Sequence, residues 1–247
     1  PDVELSYRGY VLWRGVLEEK ELADSTPLET YIPRLSYKGM PGHLVLYFVP
    51  GKNGSIKPGE RWVNWAAYIP LTAETLPAFL IDKNGRQHSS SMPPGLMRLE
   101  EENRLKQLMR DHLPTYYADI ISASSNTFAQ PIYTVEMPGY HNGRICLMGD
   151  AGSVAQPFTG SGVFKGVSNA LDLVAQLQQS ETVEAALAQW AEAQTITGKR
   201  LVVLGEQMEQ AWIWAAVDFA QMEAAETEQW FKAAVHFPEA FTYEEIS

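Results

Sequence analysis

Cysteine is nearly absent: Cys146 stands alone in 247 residues, so no internal disulfide can form. Its apolar run, Ile145-Cys146-Leu147-Met148, suits a buried, inert thiol and a reducing compartment, and a cytoplasmic protein is expected. Basic residues are scarce. Nineteen Lys and Arg face 30 Asp and Glu, and a net charge of −11 without a basic cluster argues against nucleic acid and against an anionic membrane surface as partners. No run approaches the roughly 18 apolar residues that span a bilayer, and Pro1-Asp2-Val3-Glu4 lacks the basic flank and apolar core of a signal peptide, so a soluble protein is expected. The chain opens at Pro1, which implies either removal of an initiator Met or absent upstream sequence. Metal-ligand spacing is lacking as well: His43, His88, His112, His141 and His236 are far apart, and no metal site is expected. Ser89-Ser90-Ser91 has no Gly-x-Ser-x-Gly elbow around it and reads as loop.

What is present is 45% hydrophobic sequence, enough for one large or two small domains. Aromatic and β-branched runs fill the first third. Tyr10-Val11-Leu12-Trp13, His43 to Val49 and Trp62 to Ile69 read as strands. The Gly- and Pro-rich segment from Pro50 to Gly59 predicts an antiparallel pair, with a long hairpin loop, from the second and third. Such a sheet has two faces, one free to line a pocket. Leu105, Leu108, Met109, His112 and Leu113 recur at helical spacing and end at Pro114. Pro131 to Val135 and Arg144 to Met148 read as further strands, the second wholly apolar and therefore expected to be buried. Val163, Val167, Ala170, Leu171, Val174 and Leu177 draw one face of a helix. From Val183 the composition is helical, and Met208, Trp212, Ala215, Phe219 and Met222 form a stripe expected to dock one helix on the protein itself. Residues 205–247 hold nine acidic side chains against Lys232, which predicts a negative outer face.

The segment richest in chemistry runs from Gly143 to Val163. A strand ends in Gly149-Asp150, a short loop passes Pro157, and Gly160-Ser161-Gly162 feeds a helix. Gly149 lets a ligand approach the backbone, Asp150 offers two acceptors to vicinal hydroxyls, and Gly160 and Gly162 expose amides at a helix N-terminus. An ordinary strand-turn-helix with glycines serving geometry alone has the same spacing. The glycines match neither the dinucleotide fingerprint nor a Walker loop.

This Gly-Asp-Ala, Pro and glycine-turn order resembles the second FAD-binding motif of single-component flavoprotein monooxygenases of the aromatic-hydroxylase type. Tyr10 to Gly15, Asn64-Trp65 with Tyr68, Pro93-Pro94-Gly95 and Ala188-Gln189-Trp190 resemble the dihydroxypyridine hydroxylase branch in comparable order. The resemblance implies an α+β and α/β fold: an antiparallel substrate-covering sheet, the C-terminal part of an FAD-binding domain and a helical C-terminus. Residues 1–135 would form the sheet with its helices, 136–180 the second FAD-binding motif and 181–247 the C-terminal helices.

By position, the resemblance places Asp150 at the ribityl chain, Pro157 at the border of the substrate beside the flavin and the amides near Gly162, Val163 and Phe164 at the flavin pyrimidine ring, with Gly149 and Gly160 also among the cofactor-binding residues. Tyr47, Trp65 and Tyr68 fall on the strands over the substrate, although core packing suits each of them too. Trp65 and Tyr68 are odd-spaced on one strand, so only one can point into the pocket. No catalytic side chain is singled out. FAD, with NADH or NADPH as donor and a small aromatic substrate, is what the resemblance implies; a homodimer of the assembled enzyme is compatible with it. The chain departs from the family in reading Gly-Asp-Ala-Gly-Ser and Gly-Ser-Gly, and above all in lacking the N-terminal GxGxxG unit. An N-terminal FAD-binding chain or segment is therefore expected as companion. Without it, the return strand and its apolar faces would be exposed. A flavin-free, non-catalytic interaction protein derived from the family is the alternative.

Overall fold

The computed structural model describes Val3 and residues 5–235. Strands and helices follow in the order β1 (Ser6–Glu18), α1 (Thr26–Glu29), β2 (Arg34–Ser36), β3 (His43–Val49), β4 (Trp62–Pro70), α2 (Leu76–Phe79), α3 (Leu99–His112), α4 (Thr115–Ala123) and β5 (Ser125–Glu136). Then come β6 (His141–Asn142), β7 (Ile145–Cys146), β8 (Ser153–Val154), α5 (Gly162–Gln179), α6 (Val183–Glu209) and α7 (Ala224–Val235). A six-stranded sheet has the order β2-β3-β4-β1-β5-β8, and β6 and β7 form a hairpin of their own. The chain packs as two units. Among the described residues, one comprises 9–132 and 212–222, the other 3, 5–8, 133–211 and 223–235. Among the described residues no helix is long and apolar enough to cross a membrane.

In the first unit, the expected hairpin is present: β3 pairs antiparallel with β4 from His43↔Tyr68 to Val49↔Trp62. β1 flanks β4 from Tyr10↔Pro70 to Glu18↔Trp62. Alternation sends Trp13, Leu46, Val63 and Trp65 to one face, where helices α2 to α4 cover them. Helix α3 buries Leu105 and Met109 and stops before Pro114, whose ring cannot continue it. Trp13 meets Phe79 edge-on at 5.6 Å, and the Trp65 indole N–H donates to Ser124 Oγ at 2.8 Å. The Arg61 guanidinium grips buried Glu19 at 2.8 Å and holds its carboxyl below the usual range, tying the end of β1 to the start of β4.

The second unit centres on Tyr140, Leu187, Trp190 and Ala191, with Met137, Cys146, Met148 and Leu173 against them. Two expectations are corrected here. The apolar run Arg144 to Met148 is not a buried strand: only Ile145–Cys146 pairs, with β6 alone, and Ile145 is 73% exposed while Cys146 is half-buried. A lone two-residue hairpin partner leaves its other edge and outer face uncovered.

Helix α5 forms where the periodicity places it, but its apolar face points outward. Val163 is 77% and Leu171 66% exposed, whereas Lys165 and Asn169 are buried. The stripe Met208 to Met222 is not one helix. Helix α6 ends at Glu209 and passes into a π-helical turn, Gln210–Trp214. There the Gly42 N–H donates to the Ile213 carbonyl at 2.9 Å, so that oxygen is held by another segment rather than by the next helical turn.

Candidate functional site

The chain leaves β7 through Leu147 and Met148 and turns at Gly149–Ala151, with Gly149 at φ +57°, which costs a glycine nothing. The Gly149 N–H donates to Asn169 Oδ1 at 2.8 Å. Asp150 presents a side chain that is 75% exposed, and its Oδ1 accepts from Lys165 Nζ at 3.0 Å. Lys165 is buried and also donates to the Ser153 carbonyl. Such a one-sidedly exposed ion pair adds little stability by itself. Its consequence is positional, because a buried ammonium needs both acceptors and so fixes the loop to the helix. The other Asp150 oxygen has no hydrogen-bond partner among the described residues.

From there Gln156 leads into a tight turn, Pro157–Thr159, and Gly160 at φ +65° reverses the chain into Ser161 and α5. Thr159 Oγ1 donates to the Gln156 carbonyl at 2.9 Å and stiffens the turn. The amides of Gly162, Val163 and Phe164 make no hydrogen bond among the described residues, and all three residues are exposed. A first helical turn left open in this way carries partial positive charge. Nothing stands where a Cβ on Gly162 or Gly166 would lie. Loop and helix end therefore offer, side by side in sequence and held by Lys165, one free carboxylate oxygen and three free N–H groups. That combination accepts from hydroxyls and stabilises negative charge.

Asn169 holds this loop directly, and Gln194, Asp172 and Trp190 hold Asn169 in turn. Asn169 Nδ2 donates to Gln194 Oε1 at 2.7 Å, Gln194 Nε2 donates to Asp172 Oδ2 at 2.8 Å, and the Trp190 indole N–H donates to the Asn169 carbonyl at 2.9 Å. Lys165, Asn169 and Asp172 lie four and three residues apart on α5. That spacing is the signal by which a polar inner face could have been found. A cleft of about 280 Å³ lies beside them, lined among others by Ser161, Lys165, Asn169, Gln194 and Leu201. Among the described residues no group of three or more His, Cys, Asp or Glu could hold a metal.

The expected aromatic residues belong to the other unit. Trp65 is fully buried on the helix-covered face with its N–H on Ser124, so it is core. Tyr47 and Tyr68 share the opposite face, as the register Tyr47↔Asn64 and His43↔Tyr68 requires. Tyr47 is half-buried, and Tyr68 is buried and stacked on His43 at 4.3 Å. Burial pushes the Tyr68 hydroxyl up and holds the His43 imidazole down at about 3.

Residues 7–134, just over half of the chain, match the FAD binding domain-like family. The chain belongs to this family. The 2,6-dihydroxypyridine 3-monooxygenase of Paenarthrobacter nicotinovorans is 24% identical to it over 204 residues, 79% of this chain and 49% of that protein. Among solved structures, 2,6-dihydroxypyridine-3-hydroxylase from Arthrobacter nicotinovorans shares the fold with a TM-score of 0.77 at 20% identity, over 90% of this chain and 56% of that one. CtdE in complex with FAD matches with a TM-score of 0.59 at 14% identity, over 95% and 58% of the two chains. This member of the FAD binding domain-like family thus spans about half the length of the curated relative it matches.

Proposed function

We propose that this chain supplies the substrate-covering sheet and the second flavin-contacting segment of an FAD-dependent monooxygenase. Its reaction would be hydroxylation of an electron-rich aromatic or N-heteroaromatic ring with NAD(P)H and O2. An N-terminal FAD-binding chain or segment bearing a GxGxxG unit would complete it. The observation that carries this reading is the Gly149-Asp150 turn, pinned by Lys165 and Asn169, leading into the open N-terminus of α5. The residues present fit a flavin: a carboxylate oxygen free for hydroxyls, three amides free for acceptors, and no neighbouring atom in the space beside Gly162.

In this reading Asp150 accepts hydrogen bonds from the ribityl hydroxyls, and the amides of Gly162, Val163 and Phe164 stabilise negative charge on the pyrimidine ring. Pro157 borders the substrate beside the flavin. Bound FAD would supply the oxygen chemistry; the protein orients the ring and excludes water. The companion segment would cover the outward face of α5 and the open side of β7, whose exposed apolar side chains support its existence. Relatives that carry the name 2,6-dihydroxypyridine hydroxylase support the substrate class.

The test is flavin content. Asp150→Ala in the protein as purified should lower FAD per chain severalfold, read from flavin absorbance, while the circular dichroism spectrum is retained. Unchanged occupancy would remove Asp150 from the site.

A further inference from the structure

Lys165 and Asn169 hold the Gly149–Asp150 turn, but the second half of the loop, from Gln156 to Ser161, is held from another direction. Gln156 is fully buried, and its Nε2 donates to Glu209 Oε2 at 2.8 Å. Glu209, the last residue of α6, is buried too, and Arg8 of β1 clamps its carboxylate with two bonds, from Nε at 2.9 Å and from a terminal nitrogen at 3.2 Å. Arg8 also reaches Glu206, three residues earlier on α6, at 2.9 Å. On its other side, the Gln156 carbonyl accepts from the Thr159 N–H at 3.1 Å and from Thr159 Oγ1 at 2.9 Å, and Thr159 Oγ1 hydrogen-bonds Ser161 Oγ at 2.9 Å. A path thus runs from Arg8 through Glu209 and Gln156 to Ser161, the residue immediately before α5, entirely within the second unit.

As a source of stability this arrangement is poor, because apolar side chains of similar volume often hold the same elements together as well as a buried ion pair does. What the charge adds is direction. A carboxylate only accepts, so Glu209 admits the Gln156 amide by its nitrogen end alone, and the two-bonded guanidinium fixes the carboxylate in turn. The facing wall of α6 leaves room for that one orientation: a Cβ on Gly205 would overlap the Gln156 amide oxygen.

We infer that Arg8, Glu209 and Gln156 are positioning residues for the flavin: they fix the Thr159–Ser161 turn, and with it the direction in which the open amides of Gly162, Val163 and Phe164 point. The inference rests on the monooxygenase reading and deepens it. Preorganised donors stabilise charge only where they are aimed, and the pyrimidine ring carries negative charge in the reduced flavin rather than the oxidised one. Loosening the turn therefore weakens the hold on reduced flavin more than the hold on oxidised flavin, which a purely structural weld would not do.

The test compares the wild type with Gln156→Leu and Glu209→Gln, each in the protein as purified, by two readouts: amide hydrogen exchange across residues 157–165 and the midpoint potential of bound FAD. Gln156→Leu should speed exchange of the Thr159–Ser161 amides about tenfold while the interior of α5 keeps its protection. It should also weaken reduced FAD about tenfold relative to oxidised FAD, a potential about 30 mV lower. Glu209→Gln keeps an acceptor for Gln156 and loses only the charge that Arg8 grips, so it should shift both readouts in the same direction by less; it carries the test if Gln156→Leu does not fold. Unchanged exchange and potential in the folded variants, or a faster exchange spread evenly over the whole chain, would overturn the positioning role. Flavin in the wild type with an unshifted potential in the variants sinks this inference alone, whereas a wild type that takes up no FAD sinks the monooxygenase reading on which it rests.

Discussion

His43 is buried flat against Tyr68 and edge-on to Trp212 at 5.2 Å, and burial is the chief reason its imidazole is held down at about 3, with the Arg34 charge adding to it. The sign of the resulting pH dependence follows from where the proton goes. Below its ordinary value of 6.5 the unfolded chain binds a proton that the native chain refuses, so stability is lost as pH falls from 6.5 toward about 3. Between about pH 7.5 and 5 this group should cost about 2 kcal/mol, read by urea unfolding, and His43→Asn should remove that slope. Glu19, held low by Arg61, gives up its own contribution only below its ordinary 4.5, so the two windows separate. At Lys165 the expectation is different: Lys165→Met leaves the buried Ser153 carbonyl without its donor and frees the loop, and should cost about 1–3 kcal/mol in the same measurement.

At the scale of elements, helix propensity and packing make opposite predictions at Gly198 in α6. Propensity alone favours Ala over Gly by about 1 kcal/mol. A Cβ there, however, would overlap the Tyr140 hydroxyl and press on Ser153 Oγ, and overpacking of this kind costs about 1–3 kcal/mol. Gly198→Ala should therefore lower the thermal midpoint; a rise would mean that Tyr140 yields freely. The same helix shows what could be read from sequence. The hairpin of β3 and β4 and the stop of α3 at Pro114 were legible, because alternation and proline chemistry act locally. The end of α6 was not, because the Gly42 N–H that holds the Ile213 carbonyl comes from a distant segment. Periodicity found α5 but could not tell its inside from its outside: Val163, Val167 and Leu171 face outward, while Lys165 and Asn169 hold the Gly-Asp loop. The glycine loop was legible as a motif, whereas the side chains that pin it were not. Replacing Leu171, 66% exposed, by Glu should change the stability of the chain by less than about 0.5 kcal/mol while abolishing any association through this face. A large loss of stability would show instead that α5 packs on its own protein.

For the whole molecule, the outer face of α5 and the open side of β7 expose apolar side chains, and the monooxygenase proposal covers them with a neighbour. The monooxygenase account makes that neighbour a GxGxxG-bearing chain or segment and makes FAD the group held at the α5 N-terminus. Native mass spectrometry of the protein as purified tests both statements at once. The account predicts that the 27.6 kDa chain leaves with a second, GxGxxG-bearing chain and with FAD. A lone, folded, flavin-free monomer would contradict it, and would put a non-catalytic interaction protein of the same ancestry in its place.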